Sequence, residues 1–255
     1  MIPAYTIVIP TRNLTNLKRC REAIESCNGP RSQPAVVDDD ETGAVKGFCL
    51  DWMVGRIPGV KPFVFSRNVN LAIREFPSRD ILILNDDALL ETRRGFDQLA
   101  AAATMEKEYG VVAAAVRGAV GCREQMAMYG EGHHAYMAAI KEFGTVPEKK
   151  VVRIRPVTHH TVTFICVYLR RDVIDRVGLL DERFEFYSHQ DDDYCQRVRD
   201  AGYKLGVFDG CVVEHGISLK STFRHDDEGK PKHQDLTPGL EMFVKIHGHK
   251  PGEKG

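Results

Sequence analysis

Short apolar runs that break off at clusters of polar residues recur along the chain, and stretches with helical spacing follow them. Residues 5–10 (YTIVIP) form a β-branched run closed by a proline, the pattern of a central first strand, with Thr11, Arg12 and Asn13 just beyond Pro10. Leu14, Leu17, Cys20, Ile24 and Cys27 then recur on one helical face, ended by Asn28, Gly29 and Pro30. A second run, residues 35–37, leads into Asp38, Asp39, Asp40 and Glu41 ahead of a helix carrying Val45, Phe48, Trp52 and Met53. Residues 61–66 (KPFVFS) predict a third strand, followed by Arg67, Asn68 and Asn70 and a helix to Phe76. Residues 80–84 predict a fourth, breaking off at Asn85, Asp86 and Asp87, and residues 93–109 a helix whose inner face is Phe96, Leu99, Ala103 and Met105. Strand followed by helix, repeated in this way, predicts an α/β fold: a Rossmann-like, doubly wound, mostly parallel sheet with helices on both faces and polar turns along one edge. The acids after strands two and four should converge there, where such sheets bind ligands.

The second half is less regular. Residues 111–116 suit a fifth strand, and residues 118–150 then lose periodicity while carrying Gly121, Gly130, Gly132, His133, His134 and Gly144. A long stretch without clear elements inside a compact domain is more often functional than inert, so these residues are expected to form acceptor-side loops. Residues 151–156 and 161–169 return to strand character, with a helix over 170–177 capped by Gly178. Leu180, Asp181, Phe184 and Phe186 lead to Asp191, Asp192 and Asp193, which open a helix over 191–201, and short strands over 204–208 and 211–213 precede His215. Residues 216–255, rich in Lys, His, Asp, Gly and Pro, predict a tail that is mobile or ordered only by ligand.

The chain has 255 residues, 43% of them hydrophobic, enough for one large α/β domain or two small ones with a full core. Its formal net charge of −1 gives no overall attraction to nucleic acid or anionic membrane. The seven cysteines are odd in number, lack CxxC spacing and fall mostly in apolar runs, which favours reduced thiols and a cytoplasmic location. No apolar run approaches the roughly 18 residues of a membrane span, and no export signal precedes the first strand.

Asp86 and Asp87 at a strand end repel each other, and hydrogen bonds or a cation must offset that repulsion. Oxygen ligands without cysteine point to a hard ion, Mg²⁺ or Mn²⁺, the alternative being a solvated turn. Acids at a helix N-terminus complement its dipole, which accounts for one or two of the four from Asp38 to Glu41 but not for all.

Four stretches, in order, carry a resemblance. TIVIPTRN, VVDDDETG, LILNDDALL and the stretch GLLDERFEFYSHQDDDYCQRVRDAGYKLGVFDGCVVEHG resemble the first strand and turn, the second-strand segment, the DxD-type motif and the closing GGFDE, EDxDLCxR, AGY and VxH series of family 2 glycosyltransferases. The resemblance implies an inverting enzyme of the GT-A fold, with GLLDERF and DDDYCQR closest to the rhamnosyltransferase-like branch. It implies a catalytic domain over 1–215, split into a nucleotide-sugar-binding half (1–117) and an acceptor-binding half (118–215), with a tail or lid over 216–255. Asp38 matches the carboxylate that accepts from a base N–H, and Pro10, Thr11, Arg12, Asn13 and Asp40 would line the same donor pocket together with Arg67 and Asn70. Asp87 matches the metal-binding end of the DxD motif, Asn85 stands where its first Asp often is, and Asp86 lies between them. His215 matches a histidine that completes the metal site, a ligand that suits Mn²⁺ better than Mg²⁺. Asp191 matches the Asp of the ED motif, the general base that deprotonates the acceptor hydroxyl, while Gln190 replaces the family Glu; Asp193 is expected to cap the helix or pair with Arg197.

The implied partners are a UDP-, dTDP- or GDP-sugar and a glycan, lipid-linked or other hydroxyl acceptor. Lys149, Lys150, Arg153 and Arg155 could face an anionic acceptor or form a solvated basic surface, and Lys220, Arg224 and His225 could close over the diphosphate. Two other readings remain at this stage. A sugar-phosphate nucleotidyltransferase uses a similar sheet but needs a Gly-rich basic turn that IPTRNLTN lacks; a nucleotide- or glycan-binding module without catalysis would explain Asn85 and Gln190.

Overall fold

The computed structural model describes residues 4–28, 33–118, 122–127, 154–158, 161–185, 188–219 and 236–253. Strand β1 (Tyr5–Thr11) is buried along its whole length. It lies between β2 (Gln33–Asp38) and β4 (Asp80–Leu84), parallel to both, and β3 (Gly55–Pro58) extends this half beyond β2. Both faces are covered, because alternate residues feed two separate cores. Ile7, Ile9, Leu82 and Leu84 pack under α1 (Leu14–Cys27), α2 (Ala44–Trp52) and α4 (Gly95–Met105). Val8, Ile81 and Ile83 pack under α3 (Phe65–Glu75), α5 (Arg171–Val177) and α6 (Gln190–Asp200). A strand buried on both faces reads as an unbroken apolar run, which is why β1 and β4 are visible in the sequence.

The rest of the sheet differs from a simple parallel winding. Strand β8 (Cys166–Leu169) is antiparallel to both β4 and β6 (Tyr109–Gly118) and lies between them. Strand β9 (Lys204–His215) runs parallel to β6 and antiparallel to both β5 (Ala88–Leu90) and β7 (Arg155–Val157). The sheet is thus mixed, with nine strands among the described residues. The two short strands expected around residues 204–213 are one strand: Ala114 pairs with Phe208 and Ala115 with Val212, so residues 209–211 bulge out. Asp209 in that bulge takes both Nε and Nη2 of Arg155, at 2.5 and 2.8 Å, which removes Arg155 from the expected basic surface.

Two further expectations are corrected. The third strand is GRIP (Gly55–Pro58), not KPFVFS: Phe65 already begins α3, and Asn68 folds back to bond the backbone of Val60 and Val64. The end of the chain is not a ligand-dependent tail throughout. Thr237–His247 form helix α7, which buries Phe243 completely. The expected acceptor-loop residues Gly121, Gly130, Gly132, His133, His134 and Gly144, the basic residues Lys149, Lys150 and Arg153, and Lys220, Arg224 and His225 lie outside the described residues. All seven cysteines are buried and free. Among the described residues, no helix is long and apolar enough to cross a membrane.

Candidate functional site

Thr11 joins the ends of three strands. It is in register with Asp38 on β2, its carbonyl accepts from Asp39 N at 3.1 Å, and its hydroxyl donates to Asp86 Oδ2 at 2.5 Å. The acids after the second and fourth strands therefore converge on Thr11. Asn85, Asp86 and Asp87 form a tight turn closed by Ala88 N donating to Asn85 O at 3.0 Å, and Asn85 N is anchored on Ile165 O at 2.8 Å. Asp86 and Asp87 are 4% and 3% exposed, so this is not a solvated turn.

The turn leads directly into β5, where Ala88 pairs with His215 at the end of β9. That register brings His215 Nε2 to 3.4 Å from Asp87 Oδ1. The strand ends around the pair are fixed by Arg117, which bonds Glu91 on one side and Glu214 on the other, the latter at 2.6 Å. Gly118 has φ +115° and pairs with His215; a Cβ there would lie 2.2 Å from His215 O. Among the described residues no group of three His, Cys, Asp or Glu side chains converges as a metal cage. One carboxylate and one imidazole facing each other, both shielded, still suit a divalent ion that takes its other ligands from phosphate oxygens and water.

The residues expected around a nucleotide separate into two groups. Asp38 is enclosed: Oδ1 accepts from Asp40 N at 2.8 Å, Oδ2 accepts from Arg56 Nε at 2.6 Å, and the side chain has 0% exposure. A base could reach that carboxylate only if one of these bonds opened. Asp40 accepts from Thr42 N at 3.0 Å and Val45 N at 3.1 Å. Burial works against its charge, but these bonds and that of Ala44 outweigh it and hold the carboxyl below its usual value. Glu41 pairs with Lys61 at 3.1 Å. Helix start, Arg56 and Lys61 thus account for three of the four consecutive acids. Pro10 lies within buried β1, Arg12 is half-buried beside it, and Asn13 caps α1 by accepting from Thr15 N and Asn16 N.

Arg67 and Asn70 point elsewhere. Asn70 exchanges two hydrogen bonds with the Leu180 backbone and donates to Glu182, clasping α3 to the segment before α6. Arg67 lies 3.8 Å from Glu182 and 3.7 Å from Glu185. The structure brings both residues to this clasp and not to Thr11.

Asp191 sits in the first turn of α6, just after two non-glycine residues in the left-handed region, Ser188 (φ 96°) and His189 (φ 62°). It keeps some surface yet is closely surrounded. Burial and the charge of Asp192 push its carboxyl up to about 7, against the pull of backbone N–H groups and His189. Asp192 is held by Thr161 and by His189 Nδ1 at 2.5 Å, a hydrogen bond that raises the imidazole's affinity for its proton while burial opposes it. Asp193 faces away, accepting from Arg197 Nε at 2.9 Å and facing His247 Nε2 at 2.9 Å. The two carboxylate sites are tethered by one short segment. Thr161 holds Asp192, and Ile165, four residues on, holds Asn85, a span of at most about 14 Å for extended chain. Gln125 clamps its middle, trading hydrogen bonds with the Thr163 backbone at 3.1 and 2.9 Å.

Sequence reasoning missed Arg56, His189 and His247. Misplacing the third strand hid Arg56. His247 could have been found, since Leu240, Phe243, Val244 and His247 recur at helical spacing after Pro238. Nothing in the pattern announces the left-handed turn at His189.

No family model matches the chain. An uncharacterized protein of Sinorhizobium fredii, y4gI, is 26% identical over an alignment 228 residues long, in a match that covers 79% of this chain and 23% of that protein. The chain thus spans about a quarter of that relative's length. Among solved structures, the mannosyltransferase PcManGT from Pyrobaculum calidifontis, in complex with GDP-Man and Mn²⁺, is 14% identical with a TM-score of 0.64, over 98% of this chain and 66% of its own. GalNAc-T7 with UDP, GalNAc and Mn²⁺ is 12% identical with a TM-score of 0.66, over 96% of this chain and 48% of its own. S. aureus TarS is 14% identical with a TM-score of 0.54, over 84% and 37%. The fold of the chain is that of GT-A glycosyltransferases.

Proposed function

We propose that the chain is an inverting glycosyltransferase of the family 2 type, moving a sugar from a nucleotide-diphosphate sugar to an acceptor hydroxyl. The observation that carries this reading is the Asp87–His215 pair, 3.4 Å apart, with Asp191 tethered to the same sheet edge through residues 161–165. Two structures of this fold hold Mn²⁺ together with GDP-Man or UDP, which supports the same ligand class here.

In this reading Thr11, Arg12 and Arg56 flank the nucleotide, Arg56 being aligned by Asp38. Asp87 and His215 would hold a divalent ion, Mn²⁺ in preference to Mg²⁺ given the imidazole, and its chemistry would be neutralisation of the diphosphate leaving group. Asp191 takes the proton of the acceptor hydroxyl as that oxygen bonds to the anomeric carbon from the face opposite the diphosphate. The anomeric C–O bond breaks, nucleoside diphosphate leaves, and the configuration inverts. A carboxyl pushed up to about 7 is matched to this proton transfer near neutral pH. The rhamnosyltransferase-like motifs point to a deoxyhexosyl or hexosyl donor, and seven unpaired thiols agree with a cytoplasmic setting.

A panel of UDP-, GDP- and dTDP-sugars with Mn²⁺ or Mg²⁺, screened by thermal shift and then for nucleoside diphosphate release, tests the proposal. Transfer should require the divalent ion and give an inverted anomer; retention would overturn the single-displacement scheme. A binding module, the reading that Asn85 and Gln190 favour, would bind nucleotide and release nothing.

A further inference from the structure

Helix α7 meets α6 at two points, one on each side of Asp191. At the first, Gly239 packs against the left-handed turn: a Cβ at this position would lie 2.8 Å from both the Ser188 carbonyl and hydroxyl oxygens and 3.1 Å from His189 Cδ2. At the second, His247 Nε2 lies 2.9 Å from Asp193 Oδ1, with the two side chains 9% and 1% exposed. Phe243, fully buried between them, stacks on His247 with ring centroids 4.4 Å apart. Gly239 has no left-handed backbone of its own, so close approach alone calls for glycine there.

Two consecutive non-glycine residues at positive φ are strained and persist only where surrounding structure holds them. Here α7 packs against the turn from outside, while the His189–Asp192 bond and the bond from Asp193 N to the His189 carbonyl hold it from within. We propose that Gly239 and His247 are positioning residues for Asp191: the helix clamps the Ser188–His189 turn at one end and Asp193 at the other, and so fixes the carboxylate that lies between. The inference rests on the reading of Asp191 as the base, but its structural content can be measured without any substrate. Among the described residues the groups facing Asp191 are Asp192 and His189 from its own turn, Cys195 one helical turn on and, across Asp192, the Thr161 hydroxyl. If the clamp opens, the turn relaxes, water enters, and the carboxyl returns toward an ordinary aspartate.

The test is a titration of the Asp191 carboxyl in the full chain by ¹³C NMR, assigned by loss of its signal in Asp191→Asn. Gly239→Ala and His247→Ala should each lower the midpoint by one pH unit or more. His247→Gln, whose amide can still donate to Asp193, should leave it in place. Because alanine is the better helix former, a Gly239→Ala chain that lacked the clash would be no less stable than the parent, so melting temperature is read alongside. If Gly239→Ala does not fold, the two His247 variants decide. Unchanged midpoints, or an equal shift in His247→Gln and His247→Ala, would overturn the proposal, and a shift at only one of the two positions would remove the other residue from it. Failure of Asp191→Asn to slow transfer would defeat the base assignment and leave the titration result standing.

Discussion

Arg56 holds its Nε 2.6 Å from Asp38 Oδ2, and the carboxylate behind it has no exposed surface. The Arg56 side chain is 28% exposed, and Asp38 fixes its Nε edge. We expect Arg56→Ala to weaken UDP or GDP binding about ten- to hundredfold, the roughly 1.5–3 kcal/mol of a charge-assisted hydrogen bond. Asp38→Asn should lose a comparable amount by freeing Arg56. Arg56→Lys should recover only part, since a point charge does not reproduce the planar fork. Calorimetric titration measures each; parental affinity in Arg56→Ala would remove the residue from the nucleotide site.

Asp87 and His215 are proposed to share one ion, which predicts non-additivity. With Mn²⁺ present, Asp87→Ala and His215→Ala should each remove most of the metal-dependent gain in nucleotide affinity, and the double variant should lose little more. Chelation of the parent by EDTA should reproduce the variants. Independent, additive losses would show that the two side chains act separately.

Gly118 tests the same site through the backbone. A side chain there must adopt φ +115° and displace the His215 carbonyl, which a Cβ would approach to 2.2 Å. Gly118→Ala should cost a few kcal/mol of stability, read from the urea midpoint, and abolish the Mn²⁺ thermal shift. A folded variant with an intact metal response would mean that the register of Gly118 and His215 does not control the pair.

How much of this was legible in the sequence depended on how locally each feature is encoded. The runs at Ile7–Ile9 and Ile81–Leu84 announce β1 and β4 because both sheet faces are buried. The acids beyond β2 and β4 and their convergence at the sheet edge follow directly, whereas Thr11 as the residue that joins them is supplied by the tertiary fold. The antiparallel insertion of β8 was not visible, since Cys166, Val167, Tyr168 and Leu169 carry no mark of strand direction. Arg67 and Asn70 illustrate the converse. The family resemblance placed them near a nucleotide, whereas the tertiary fold directs them to Glu182 and the Leu180 backbone, 110 residues away in the case of Asn70. Tertiary pairing decided those positions, and local pattern could not supply it.

In the proposed reaction the base is Asp191, whose carboxyl is pushed up to about 7 by burial and by Asp192. A base must be ionised, so kcat should rise with pH through about 7 and level off above it. Asp191→Asn should lower transfer by roughly 10² to 10⁴ while leaving nucleotide-sugar affinity nearly intact. Stability should move in the opposite sense. The folded carboxyl binds its proton more tightly than an unfolded aspartate near ~3.9, so the contribution of Asp191 is fully present below about pH 4 and is lost as pH rises through about 7. Asp191→Asn removes that loss, and its urea midpoint should exceed the parent's at pH 8, by less at pH 5, with the two converging only below about pH 4. Asp193→Asn should behave differently: its partners are Arg197 and His247, so it should lower stability at both pH values. A variant pair in which Asp193→Asn halts transfer and Asp191→Asn does not would place the base two residues further along α6, against the wall formed by α7.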